Sequence, residues 1–387
     1  MIIHKQNRKL VNTKILIEYD IESKLEPNVC KFELDKEFEY MIDGSCDAPL
    51  IALLIPAMMT GEDIHIQGSI SSKLFNSINN GLLDLLLIIM PFLNRIQIYP
   101  AELLSVSRKP GSVATGYSGG VDSYSLIYDH FKKVDNKGYN ITHLLFNNVG
   151  SHGTGSVANA LFEKRFYRLK YSAKKLNLPF IKINSNLDDF YSNKINFQQT
   201  HTFRNASVGL LLQKEISTLL YASTFSFSDV SVKRTYDISY ADLIILPLIS
   251  SRNIELLSEG GQYSRLDKTL NIASMPETFE SLDICVSQEN FSSFINCGKC
   301  WKCLRTLFTL ELSDDLSKYI KAFDIEVYNS SKKRYLYRLI SSNDPLLLEI
   351  VNYADSKGYK YPLEIRLLKF FRLARLFRYI KQMISKS

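Results

Sequence analysis

The chain has one tryptophan and only six cysteines in 387 residues. Six cysteines are too few to staple so long a chain, which excludes a small disulfide scaffold. With 17 glycines and 11 prolines, collagen-like and low-complexity classes are excluded as well. No apolar run reaches the ~18 residues that a membrane-spanning helix needs. The longest candidates, Leu50–Met59 and Leu82–Leu93, are broken by Pro56 and by Asp84 and Pro91. The residues after Met1 lack a secretory leader's order of basic, apolar and small-residue regions. These absences predict a cytoplasmic protein, whose thiols stay reduced and are available to metals or chemistry.

What is present is ordinary in amount and uneven in place. Apolar residues are 45% and charged residues 22%, and the formal charge is +7. The segment Tyr361–Ser387 carries Arg366, Lys369, Arg372, Arg375, Arg378, Lys381 and Lys386 against Glu364. Nearly all the excess charge is therefore a basic tail on a neutral body. Its basic residues recur every three positions, so on an α-helix they circle the axis. That leaves no flat apolar face for a membrane surface. The tail is expected to lie against the body or an acidic partner, with nucleic acid and membrane surface less favoured.

Residues 1–108 read as an N-terminal α/β domain. Strand-like runs at Lys14–Ile21 and Cys30–Met41 precede buried helices over Leu50–Met59 and Ser72–Met90, with strands at Asp63–Gly68 and Arg95–Tyr99. Lys109-Pro-Gly is a turn signal. Residues 109–312 then alternate strands and helices in the pattern of a parallel α/β sheet. Strands are expected at Ser112–Tyr117, Thr142–Phe146 and Pro179–Ile183, with further short apolar runs at Leu243–Leu248 and Ile284–Val286. Helices are expected at Ser123–Lys133, at Ala158–Leu176 and within His201–Leu220. Residues 313–387 read as a helical C-terminal region.

The sharpest motif is Gly116-Tyr117-Ser118-Gly119-Gly120-Val121-Asp122-Ser123. Adjacent glycines at a strand end let the backbone turn tightly against a ligand. Consecutive N–H groups then form an anion nest, and the following helix adds its positive end. Ser118 and Ser123 supply hydroxyls. A carboxylate in a phosphate cradle implies a cation between them, so Asp122 is expected to contact Mg²⁺. No Gly-Lys-Ser/Thr follows at Walker spacing, and the dinucleotide fingerprint is absent.

Cys285, Cys297, Cys300 and Cys303 form a C-x11-C-x2-C-x2-C pattern. Three thiols two residues apart can converge over a knuckle and a first helical turn. Four thiolates suit tetrahedral Zn²⁺ in a closed structural site. An iron–sulfur cluster uses similar spacing, and free thiols are the remaining alternative. Lys299, Lys302 and Arg305 can offset the negative charge of such a centre. Cys30 and Cys46 have no partner pattern and read as small buried residues.

The loop S-G-G-V-D-S after a strand resembles the PP-loop ATP pyrophosphatase superfamily. Loop and cysteines together, over about residues 110–312, are similar to the 7-cyano-7-deazaguanine synthase family, extended here at both ends. The resemblance implies a parallel adenine-nucleotide-hydrolase-like sheet. It also implies ATP held by Ser118, Gly119, Gly120, Val121, Asp122 and Ser123, with Asp122 and Ser123 at the reacting phosphates. The implied reaction is adenylation of a carboxylate or carbonyl on a small-molecule or protein acceptor, with release of pyrophosphate and displacement of AMP by ammonia or an amine. Phe203-Arg204-Asn205 looks like the family's substrate-binding helix, and Leu256–Lys268, with Arg265 and Lys268, like its late segment. His152, in a Gly- and Ser-rich loop, is a candidate to shape the substrate pocket. After the second strand the chain has Phe146-Asn147-Asn148-Val149-Gly150, where that family has an aromatic and acidic element. The competing readings are a sulfur-transfer enzyme on tRNA or a small molecule, and a non-catalytic ATP-binding module.

Overall fold

The computed structural model describes residues 1–105, 111–133, 138–153, 155–191, 195–285 and 294–371. The turn expected at Lys109–Pro110, Val286, and the basic tail from Arg372 onward lie outside the described residues. The chain groups into two units. One comprises Met1–Ser118 and Leu126–Gln262; the other comprises Gly119–Ser125 and the residues from Tyr263 onward.

The first unit is built on one mixed, mostly parallel sheet of 11 strands. They are β1 (Ile2–Ile3), β2 (Asn7–Val11), β3 (Lys14–Glu22), β4 (Val29–Asp35), β5 (Ile64–Ser71), β6 (Ile98–Leu104), β7 (Ser112–Gly116), β8 (His143–Asn148), β9 (Phe180–Ser185), β10 (Ile216–Ala222) and β11 (Glu255–Glu259). β3 and β4 alternate buried and half-buried residues, as expected of strands with one face on a core. β8 is buried almost throughout, as a central parallel strand should be.

Strands β9, β8, β7, β10 and β11 lie side by side in that order, all parallel. Numbered along the chain from β7, this is the doubly wound order 3-2-1-4-5. Its direction of winding reverses between β7 and β10, and sheets of this kind bind ligands outside the carboxyl ends of the strands at such a point. β7 is the strand that runs into the glycine loop.

The strands of residues 1–105 continue this sheet. β4 pairs antiparallel with β9 through Phe32↔Ser185 and Glu33↔Asn184. Asn186 clasps the joint: its Oδ1 accepts from Lys31 N–H at 2.8 Å, and its Nδ2 donates to Val29 O at 2.8 Å. One apolar core includes Ile15, Phe32, Leu54, Leu145, Phe203 and Leu219. The helix Asp47–Thr60 is buried on every side, as an all-apolar helix must be, and it packs on the helix His201–Leu211.

Several local expectations need correction. Phe38 and Tyr40 belong to a 3₁₀ helix, Lys36–Met41, because the strand ends at Asp35. The strand expected at Arg95–Tyr99 is Ile98–Leu104. The helix within His201–Leu220 stops at Leu211, and its apolar continuation is β10. The apolar run Leu243–Leu248 lies in the helix Asp242–Leu248, and Leu282–Cys285 is neither strand nor helix.

From Arg265 onward the described residues of the second unit include the helices Arg265–Ile272, Trp301–Leu312, Ile325–Ser341 and Pro345–Ser356. Phe308, Leu336, Leu339, Ile350 and Ile365 share its core. Among the described residues no helix is long and apolar enough to cross a membrane.

Asn186→Ala would leave the N–H of Lys31 and the carbonyl of Val29 without their partners. The expected cost is about 2 kcal/mol, the scale for buried polar groups left unpaired. Urea unfolding should read this loss, and amide exchange should accelerate first around Val29–Lys31.

Candidate functional site

β7 ends at Gly116, and the helix Val121–Ile127 opens after Gly120. Tyr117 N–H donates to Leu145 O at 2.7 Å, so the loop starts from a fixed point on β8. Gly119 has φ +75°, a conformation side chains disfavour and glycine adopts freely. Its carbonyl accepts from Asp283 N–H at 2.8 Å. Ser123 Oγ donates to Gly120 O at 3.0 Å, and Tyr124 N–H donates to the same carbonyl at 3.1 Å. Val121 is buried, which fixes the helix's first turn. Tyr124 Oη and Ser281 Oγ share a 2.6 Å hydrogen bond.

Asp122, expected to meet Mg²⁺, faces two cations of the protein. Arg265 Nη2 lies 2.8 Å from its Oδ2, and Lys268 Nζ lies 3.5 Å from its Oδ1. The second distance is within ion-pair range but gives Oδ1 no hydrogen-bond donor. The Asp122 side chain is 26% exposed, whereas that of Lys268 is 2% exposed. Burial lowers the Lys268 pKa; Asp122 opposes the shift and Arg265 adds to it. Lys302 is lowered first by burial and then by Arg265. Arg305 is pushed down to about 10, again by burial and then Arg265. Four basic side chains of the second unit thus share one neighbourhood with a single carboxylate of the loop. From sequence, Lys302 and Arg305 were assigned only to balancing the cysteines.

The four cysteines converge. Their Sγ atoms all lie within 4.8 Å of one another, with Cys300–Cys303 at 3.4 Å and Cys297–Cys303 at 3.9 Å. Tetrahedral Zn²⁺ with ~2.3 Å bonds places sulfurs about 3.8 Å apart, so the cluster could hold such an ion. Cys300 N–H donates to Cys297 Sγ at 3.3 Å, forming the knuckle. Gly298, at φ +67°, lies so close to Asp324 that a Cβ would sit 2.4 Å from its carbonyl oxygen. Cys303 is shifted strongly upward, first by hydrogen bonds from Cys285 and Cys300 and then by burial. Packed thiols resist ionising together unless a cation compensates them.

Asn296, overlooked in the sequence, holds the approach to this site. Its Oδ1 accepts from Ile284 N–H and Cys285 N–H at 2.9 and 3.1 Å, and its Nδ2 donates to Leu282 O and Ala322 O at 2.7 and 3.1 Å. An asparagine between two cysteines carries no signal until these partners, distant in sequence, are known.

The expected substrate residues occupy the first unit, and two of them are internal. Arg204 is buried. Its Nε donates to Thr200 Oγ1 at 2.9 Å, its Nη1 donates to Val149 O at 3.1 Å and Asp188 Oδ1 at 2.5 Å, and its guanidinium lies 3.7 Å from the Tyr191 ring centre. It is an internal strut that also pins Gly150, where a Cβ would fall 2.3 Å from Nη1. Asn205 accepts from Asn147 Nδ2 at 3.1 Å and donates to His201 O at 2.9 Å. His152 is buried edge-on against Phe146 and Phe162. Burial, then Arg165, lowers its pKa to about 4.

A cavity of about 280 Å³ lies at the carboxyl ends of β8 and β9. Its walls include Glu33, Asn148, Asn159, Asn184, Asp188 and Asp189. No periodicity or motif announces it, because its residues come from four separate stretches of chain. Comparison with known proteins finds no matching family model, no matching curated protein and no matching solved structure.

Two tests follow from this geometry. Elemental analysis should find about one zinc and no iron per chain. Cys300→Ser should lower the zinc content and the melting temperature together, since metal-binding energy at such sites is folding energy. For His152, the unfolded pKa of about 6.5 exceeds the folded value of about 4. The stability it contributes is whole above the unfolded value and is lost as pH falls toward the folded one. Unfolding between pH 7 and pH 4 should therefore cost the parent protein about 3 kcal/mol more stability than His152→Gln.

Proposed function

We propose that the protein cleaves ATP between its α and β phosphates, adenylating a carboxylate or carbonyl oxygen that ammonia or an amine then attacks. One observation carries this reading. The Ser118–Ser123 loop leaves the strand at the switch point of the doubly wound sheet, and its Asp122 stands against Arg265 and Lys268. Strand end, glycine turn and helix start supply N–H groups to a phosphate chain, and the two cations offset its negative charge. With Mg²⁺ bound, Asp122 would hold the ion and the ion would neutralise the phosphate oxygens. Ser118 would orient those oxygens by a hydrogen bond, and Ser123 would do so by turning its single O–H away from Gly120 O.

The cavity at the ends of β8 and β9 is a second place where a small molecule could sit. Its asparagines offer both donors and acceptors, which suits a small polar molecule. The four-cysteine cluster takes Zn²⁺ as a structural ion, because four thiolates leave no open position for water or substrate.

A sulfur-transfer reading needs a reactive thiol or a labile iron cluster near the ATP loop. Cys30 and Cys46 are both buried; burial raises both pKa values, that of Cys46 to about 12. Neither suits a thiolate nucleophile.

The test is incubation of zinc-loaded protein with α-labelled ATP, Mg²⁺ and a fractionated small-molecule extract. AMP and pyrophosphate are expected in the fractions that contain the acceptor. Asp122→Asn should slow their appearance by ~100-fold or more, the scale of preorganised electrostatic contacts. ADP and inorganic phosphate as the main products would refute the reading.

A further inference from the structure

The helix Trp301–Leu312 grows directly out of the cysteine knuckle. Cys300 is its N-cap and Cys303 lies in its first turn. Lys302 and Arg305 are three residues apart and so share one side of that helix. On the helix Arg265–Ile272, Arg265 and Lys268 have the same spacing. The two helices pack against each other, and the pairs meet around Asp122. Arg265 and Lys268 touch it. Lys302 and Arg305 both lie within electrostatic reach of Asp122 and of Arg265.

Arg305 is buried, and its Nε meets no hydrogen-bond acceptor. Its guanidinium rests 5.1 Å from the Trp301 ring centre, which limits where it can turn. Asp344 and Glu349 are within electrostatic reach, but Asp344 Oδ1 caps Leu346 N–H, and Glu349 is drawn toward Ser264 and Leu266. A buried guanidinium with an unmet donor, beside three further cations, is a costly arrangement unless an anion completes it.

We propose that Lys302 and Arg305 join Arg265 and Lys268 in an anion site for a phosphate-type group, and that the cysteine knuckle serves to position two of its four cations. The ligand class follows from the donors. Guanidinium groups pair with phosphate through forked hydrogen bonds, and ammonium groups act as point charges. Identifying the anion as the leaving pyrophosphate of ATP rests on the proposed function; anion binding does not. The knuckle then links the metal to phosphate binding through the first turn of one helix.

The experiment measures binding of inorganic pyrophosphate to the zinc-loaded full chain by calorimetry, with zinc content and circular dichroism recorded for every variant. Arg305→Met and Lys302→Met should each weaken binding about tenfold or more at unchanged zinc content, and Arg305→Lys should recover part of the loss. Lys321→Met, an exposed control, should bind as the parent does. Should Arg305→Met lose its zinc or its fold, Lys302→Met and Arg305→Lys decide the matter. The proposal falls if the parent does not bind pyrophosphate, if the folded variants bind it as tightly as the parent, or if Lys321→Met loses as much. Arg305-dependent pyrophosphate binding without AMP formation would remove the adenylation reading and keep the site. AMP formation indifferent to both Met substitutions would do the reverse.

Discussion

Four sulfur atoms within 4.8 Å of one another impose a condition on the second unit: they cannot all carry charge unless a cation sits among them. A cation held there would tie the turn at Gly298, already pressed against Asp324, to the start of the helix Trp301–Leu312. That helix puts Phe308 into the core of the unit and Lys302 and Arg305 beside the carboxylate of the glycine loop. Core packing and charge placement in the second unit therefore depend on the same helix.

Two buried arginines show how similar burial can have different meanings. Arg204 has a carboxylate, a hydroxyl, a carbonyl and an aromatic ring around it, so its charge is answered within the fold. Arg305 has an aromatic ring and an unmet Nε, and both Arg265 and the carboxylates Asp122 and Asp344 lie within its electrostatic reach. Burial alone would rank the two together; the inventory of partners separates an internal strut from a guanidinium with a donor left over.

The parts legible in the sequence are those whose chemistry is written in adjacent residues. The glycine loop and the C-x2-C-x2-C knuckle each need only a few consecutive positions, and the strand before the loop and the helix after the knuckle are present in the structure. The substrate role read into Arg204 was much harder to judge, because what surrounds it comes from Val149, Asp188 and Tyr191, none of them neighbours in sequence. β10 was masked by helix-like apolar content running on from His201–Leu211. The continuity of the sheet was also invisible. Phe32 and Ser185 carry no mark of their pairing, and nothing in the residues around Lys109 announces that a strand before it pairs with one after it.

The joint between β4 and β9 bears on how the chain is made. Lys31 and its clasp residue Asn186 are 155 positions apart. At a synthesis rate of roughly 5–20 residues per second, β4 leaves the ribosome about 8–30 s before the strand that covers its edge. Through that interval the hairpin of β3 and β4 shows an unpaired ladder edge bearing Phe32 and Leu34, and open edges of this kind invite pairing with other chains. The helix Asp47–Thr60 waits likewise for the helix His201–Leu211. The first third of this protein is thus open to mispairing while the rest is made, whatever its final stability.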